Sequence, residues 1–228
     1  MKRIILMILL NYLCAQSKYP ADTLLLSTET PMIHRIGLLP ISLWQRISYN
    51  TDLLNCQFYP SCSNYGADAI SRYGILRGGV IATERITRCN PFAYNYHLEL
   101  GNPFNEKDGR LIDPIKQQDP ILSKRSPFIA AIFSAIIPGA GRAYSGRTMD
   151  GIMGFWTFYL TGSSAYFSIK EDRPVAGPLF GVAVAFVYIG EIYGAWRSAK
   201  YYQKNNIKEP PTGFEPATYA LRMRCSTN

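Results

Sequence analysis

The chain has 228 residues, with 24 Lys and Arg against 16 Asp and Glu, a formal net charge of +8 and a mean hydropathy of −0.05. The charge is dispersed: residues 1–125 hold 14 basic and 10 acidic side chains, and residues 126–209 hold 8 and 5. A nucleic-acid binder concentrates Lys and Arg on one element, whereas dispersed positive charge beside apolar runs suits anionic lipid headgroups, at about 1 kcal/mol per residue near the surface. The near-zero mean hides a polar stretch over 90–125 and an apolar one over 151–196, so composition points to a small extramembrane module followed by a membrane domain.

Residues 1–15 have the form of a secretory signal: basic Lys2 and Arg3, apolar Ile4 to Leu10 continuing to Leu13, and small Ala15. Bulky Leu13, three positions before the cut, leaves an uncleaved anchor as the alternative. Lipid attachment at Cys14 is disfavoured, because Asn11-Tyr12-Leu13 lacks the small residues such sites carry. The signal places the module after it on the extracytoplasmic side of a membrane.

Residues 16–31 read as a solvated connector. From Ile33 to Ile47, the positions Ile33, Ile36, Leu39, Leu43, Trp44 and Ile47 fall at spacings of three and four, one stripe of a helix that Pro40 is expected to break. Such a stripe either lies in a membrane interface or packs on its own core. A helix over 64–72, capped by Ser63 or Asn64 and ended by Gly74, precedes a second one over Ile75–Arg88. That second helix is expected to turn Ile75, Leu76, Val80 and Ile86 inward and Arg77, Arg85 and Arg88 outward. Residues 93–123 lack a sustained period and read as a linker.

Two apolar stretches come next, Gly151–Ile169 without a charge and Val175–Trp196 with only Glu191. Each is long enough to cross about 30 Å of hydrocarbon, as a hairpin turning at Lys170–Pro174. Pairs Gly177/Gly181 and Gly190/Gly194 have the four-residue spacing that lets helices approach. Glu191, inside a span, is by default a functional candidate, though its place about a turn and a half from Trp196 reads as interfacial. Pro127–Ile137 is apolar but short, and a third crossing through it would bring the basic flanks inside. The fold class expected is all-α: a small helical, cysteine-containing module with its linker over 32–118, then a helical membrane domain of two to three spans over 126–208.

The residues available for chemistry cluster at Cys56-Gln57-Phe58-Tyr59-Pro60-Ser61-Cys62-Ser63-Asn64-Tyr65, then Tyr73-Gly74, then Arg85-Ile86-Thr87-Arg88-Cys89-Asn90-Pro91-Phe92. Over roughly residues 38–92 this chain resembles the YidD-type membrane protein insertion efficiency factors, whose hallmark is a Cys-x-x-x-Pro-Ser/Thr-Cys-Ser-x-Tyr run, a Gly, a basic helix and Arg-Cys-x-Pro-Phe. The motif positions carried over are Cys56, Pro60, Ser61, Cys62, Ser63, Tyr65, Gly74, Arg85, Arg88, Cys89, Pro91 and Phe92. Gln57 stands where the family usually has a basic residue, and the family's Gly-Asp-Pro ending is displaced, with Asp113-Pro114 its counterpart. The resemblance implies a non-catalytic accessory factor that assists insertion or folding of integral membrane proteins, with membrane lipids and insertase or translocon components as partners. Family members act at the cytoplasmic face, opposite to the side the signal implies.

Three cysteines admit a disulfide, in which Cys56 or Cys62 pairs with Cys89 at about 3 kcal/mol, or reduced packing, or a metal site. Zinc is disfavoured, since five residues separate Cys56 from Cys62 and His97 is the nearby His; no metal or cofactor is expected. No catalytic motif emerges: there are two His, no Gly-x-Ser-x-Gly, and Gly139-Ala140-Gly141 lacks the Lys-Ser/Thr of a phosphate loop. Cys89 or Cys62 with His97 is the pairing left open, against the usual structural role of cysteine.

Pro138, Gly139, Gly141, Tyr144 and Gly146 resemble a Pro-Gly-x-Gly-x-x-Tyr-x-Gly turn of small membrane domains of unknown role. Residues 209–228 resemble the peptide made when a reading frame runs through a transfer-RNA gene, so no function is expected there and Cys225 is discounted. The competing functional reading is an envelope scaffold, a lipid- or partner-binding module unconnected with insertion, again without nucleic acid or a small-molecule substrate.

Overall fold

A computed structural model describes residues 19–49, 56–115 and 125–202; the expected signal or anchor and the expected tail lie outside them. The described residues are mostly helical and divide into two compact units, residues 1–55 with 61–82, and residues 56–60 with 83–228.

The first unit holds α1 (Pro20–Leu26), α2 (Met32–Ser48) and most of α3 (Cys62–Arg88). Ser61 starts α3 by accepting from the Asn64 amide through its Oγ at 3.4 Å, two to three residues before the cap expected. Gly74 interrupts it with φ 82°, as its place in the sequence suggested. The core is small, with Ala21, Leu38, Ala67 and Ile70 at its centre. The connector expected over 16–31 contains α1, whose Asp22 is buried: Ser42 Oγ donates to it at 2.5 Å and Arg46 at 3.0 Å. A seven-residue helix held by polar partners on another element leaves no periodic trace in its own sequence.

Helix α2 runs through Pro40 without the expected break. Pro40 is exposed, and the bond its missing N–H forfeits is to the carbonyl of Ile36, also exposed. The buried face of α2 is Leu38, Ser42, Gln45 and Ser48. Gln45 accepts from the Ala21 amide at 3.0 Å and donates to Asn64 Oδ1 at 2.8 Å, so hydrogen bonds hold that face as much as apolar packing does.

In the second unit, the region expected as linker contains α4 (Ala93–Glu99) and β2 (Leu111–Ile112), which pairs in parallel with β1 (Phe58–Tyr59), Phe58 opposite Leu111 and Tyr59 opposite Ile112. Beyond it come α5 (Pro127–Ile136), α6 (Ala140–Tyr144), α7 (Thr148–Lys170) and α8 (Ala176–Tyr201). α7 and α8 are antiparallel: Gly154 meets Glu191, the rings of Phe158 and Tyr188 lie 5.8 Å apart, and Gly162 meets Val184. Among the described residues, α8 is the one helix long and apolar enough to cross a membrane.

Helix α5 is antiparallel to α8, with Ala130 packed on Ala195 and Ala199 and the Ala135 carbonyl accepting from Tyr188 Oη at 2.6 Å. Gly139, at φ 88°, then reverses the chain, and α6 climbs back to the level of Ala195, against which Gly141 lies. The α5–α6 segment therefore enters about halfway along α8 and returns to the end where it began.

Candidate functional site

Among the described residues of the second unit, nine Arg, Asp and Glu side chains are buried: Arg85, Arg88, Arg142, Arg147 and Arg197, and Glu84, Asp113, Asp150 and Glu191. They come from the end of α3, the β2 segment, α6, the start of α7 and the second half of α8. Arg88 donates to Glu84 at 2.5 Å and to Asp113 at 2.8 Å. Arg197 donates to the same two carboxylates, at 2.6 Å and 3.3 Å. Arg85 stands 3.4 Å from Asp113, its guanidinium 4.8 Å from the centre of the Phe58 ring. Arg142 grips Glu191 with two donors, at 2.9 and 3.2 Å.

Burial alone would raise the Glu84 carboxyl, but the guanidiniums of Arg197, Arg88 and Arg142 outweigh it and hold it down at about 2. Asp113 is likewise held well below the carboxylate range, against its burial, by Arg88, Arg197 and Arg85. These are charges bound by charges, which in a buried setting is the condition for keeping them ionised. The sequence-based assignment of Arg85 and Arg88 to the outer face is therefore overturned, as are Leu76 and Ile86 as inward residues, both of which are exposed. Glu191, which the sequence placed near the membrane interface, is buried within the protein. A helical wheel places residues by polarity, and here partners on α6 and α8 reverse the polarity of the inside.

The family-motif residues fall in both units. In the first, Tyr65 is buried, Ser61, Cys62 and Ser63 are half-buried at the start of α3, and a Cβ on Gly74 would press on the His34 ring at 3.0 Å. In the second, Tyr59-Pro60 is a cis peptide. There the half-buried Cys56 and Cys89 have sulfurs within 4.8 Å of each other, Gln57 donates to Cys89 Sγ at 3.6 Å and to the Asn90 carbonyl at 2.9 Å, and Pro91 and Phe92 lead into α4. Asp113, the displaced counterpart of the family ending, sits on Arg85 and Arg88.

The YidD family model, described as "Putative membrane protein insertion efficiency factor", matches residues 33–97. Three relatives carry that same description. The protein of Thermoanaerobacter pseudethanolicus is 50% identical over 52 residues, 23% of this chain and 75% of the relative. That of Moorella thermoacetica is 46% identical over 63 residues, 27% of this chain and 87% of the relative. That of Oleidesulfovibrio alaskensis is 44% identical over 59 residues, 26% of this chain and 69% of the relative. The chain belongs to the YidD family. No solved structure matches it.

The YidD match ends at residue 97, so Glu84, Arg85 and Arg88 belong to the matched segment while Arg142, Arg147, Asp150, Glu191 and Arg197 belong to the C-terminal extension. The turn residues of that extension serve close approach. A Cβ on Gly139 would collide with the Gly151 carbonyl, and one on Gly141 with the Ala130 carbonyl. Tyr144 packs edge-on against Phe133, and Gly146, at φ 95°, lies under the Tyr202 ring; Pro138 is buried at the reversal. Sequence reasoning missed Glu84, Asp150 and Arg197 as members of one site. The available signal was the charge in otherwise apolar or small-residue surroundings, which by default marks a functional or paired group.

Proposed function

We propose that this protein is a membrane-bound accessory factor that assists the insertion or folding of integral membrane proteins by binding, without turnover. The observation that carries the reading is the outward face of α2. Ile33, Ile36, Leu39, Leu43, Trp44 and Ile47 are exposed, Ile36 by 61% and Leu43 by 55%, while the buried face is mainly polar. Of the two roles open to the stripe, this exposure favours lying in a membrane interface, since a soluble helix would turn those residues inward.

In the second unit, α7 and α8 form a hairpin through the bilayer, and α5–α6 is a re-entrant segment that dips to mid-depth and returns. Exposed Phe155, Trp156 and Leu160 on α7 and Leu179, Val182 and Ile189 on α8 face lipid. Lys170 over Tyr166 at one end and Lys200 over Trp196 at the other mark the two interfaces. The membrane is the bacterial inner membrane, and the partners are lipids and components of the insertion machinery.

The test is complementation in bacteria lacking their family member, following how much of a newly made multi-span protein becomes membrane-integrated. Wild-type chain raises that fraction. Ile36→Glu/Leu43→Glu does not, although its melting temperature stays near wild type, because exposed positions contribute within about 0.5 kcal/mol. Unchanged insertion without the protein, with no insertase recovered by affinity capture, would instead establish the scaffold reading.

A further inference from the structure

Among the described residues the nine buried charges do not balance. Five arginines face four carboxylates, leaving one positive charge in excess. Arg147 is one of the arginines whose donors are not all met. It pairs with Asp150 and lies against the rings of Tyr96 and Tyr202, at 4.6 and 5.4 Å, yet its buried Nε has no hydrogen-bond partner among the described residues. A buried donor left unmet and a surplus buried cation are both costly, and both are relieved by an anion.

Beside Arg147 the unit has a polar cavity of about 40 Å³, lined also by Arg88, Arg197, Ser198 and Tyr202. At roughly 10–15 Å³ per water-sized atom, it admits about three such atoms, the size of the oxygens of one phosphate group. Glu84 and Asp113 also border it, but each already holds both Arg88 and Arg197, so the site is not closed to an anion. Arg197, Ser198 and Tyr202 stand at the C-terminal end of α8, where Lys200 and Trp196 mark the headgroup level.

We propose that this cavity is an oxyanion site in which Arg147, with Arg88 and Arg197, takes a phosphate group, presented by an anionic lipid headgroup or as free phosphate. Guanidinium forks match phosphate oxygens in geometry as well as charge. A lipid source rests on α8 crossing the bilayer; binding of free phosphate does not, so the two can fail separately.

The full-length protein in neutral detergent is titrated with sodium phosphate and, at matched ionic strength, with sodium chloride, following thermal unfolding. In parallel it is reconstituted in phosphatidylcholine nanodiscs with and without phosphatidylglycerol, and co-purifying lipid is read by native mass spectrometry. Phosphate is expected to raise the melting temperature where chloride does not, and Arg147→Gln to weaken the apparent affinity at least about tenfold, the cost of losing a charge-assisted contact. Should Arg147→Gln fail to fold, Arg147→Gln/Asp150→Asn removes both members of that pair, so neither is left facing a lost partner. Retention of phosphatidylglycerol that this variant loses identifies the headgroup as the source, and a phosphate shift without lipid retention identifies free phosphate. Equal shifts by phosphate and chloride, or shifts and lipid retention unchanged in both variants, would overturn the site.

Discussion

Arg197 Nη1 donates to Glu84 Oε2 at 2.6 Å across 113 positions of sequence. Glu84 lies inside the segment that matches the YidD family and Arg197 near the end of the candidate membrane helix. The C-terminal helices are thus bonded to the end of the family helix by buried ion pairs, not merely trailing after it. Removing one member of such a pair strands the other, a loss of about 3–5 kcal/mol. Glu84→Gln, which takes one carboxylate partner from each of Arg88, Arg142 and Arg197, is expected to lower the melting temperature by about 10 °C at about 2–4 °C per kcal/mol. Glu84→Gln/Arg197→Gln should lose less than the two single changes combined. Simple additivity in a thermal-shift series would show that the two groups do not interact.

The same carboxylate sets a pH dependence. Its folded value, about 2, lies below the ordinary 4.5, so its contribution is complete above about 4.5 and disappears as pH falls toward 2. The stability lost across that window is about 3 kcal/mol, since each tenfold difference in proton affinity between the folded and unfolded chain is worth about 1.36 kcal/mol. Denaturation midpoints measured between about pH 6 and pH 2 should fall more steeply for wild type than for Glu84→Gln. Parallel profiles would remove Glu84 as the group responsible.

How much of this was legible beforehand differs by element. The motif Cys56 to Phe92 named the family directly, and Gly74 marked its own interruption of α3. The stripe of α2 was visible, but not its direction: whether Ile36 and Leu43 face a core or a membrane depends on what packs behind Ser42 and Gln45, and only the bonds of Asp22, Asn64 and Ala21 decide that. The charge cluster was least legible. Arg85 and Arg88 look like solvent residues on a wheel, and nothing local announces that Arg88 and the distant Arg197 share Glu84 and Asp113 as partners.

Helix α5 and its return through α6 fix a relation that labelling can read. Ser126 caps α5 at the end of α8 near Ala199, and Arg147 leads into α7 at the same end. Arg125 and Thr148 are therefore expected on one face of the membrane and Asp172, in the exposed turn between α7 and α8, on the other. Single cysteines at the three positions, treated in intact cells with an impermeant maleimide and compared with the parent chain, should divide two against one in that way. Labelling of Arg125→Cys and Thr148→Cys from opposite faces would mean that the short segment crosses, as in the three-span arrangement.

The glycines of this domain, equivalent by spacing alone, separate by environment. Gly190 lies on the backbone of Glu84, where an added Cβ would stand 3.4 Å from its amide nitrogen, and Gly194 lies on the Arg142 guanidinium. Gly181 has nothing within 4 Å of that position. Gly181→Ala should therefore keep the fold and gain up to about 1 kcal/mol from helix propensity. Gly141→Ala should do the reverse, because its Cβ would meet the Ala130 carbonyl, a backbone atom that cannot rotate away, and overpacking of this kind costs about 1–3 kcal/mol or more. Gly194→Ala should fall between them, since the atom it meets is the end of a flexible side chain, although moving Arg142 also disturbs Glu191. Thermal unfolding of the three variants in one detergent is expected to rank Gly181→Ala above Gly194→Ala above Gly141→Ala, and an equal loss at Gly181 would mean that α8 is held there by a neighbour.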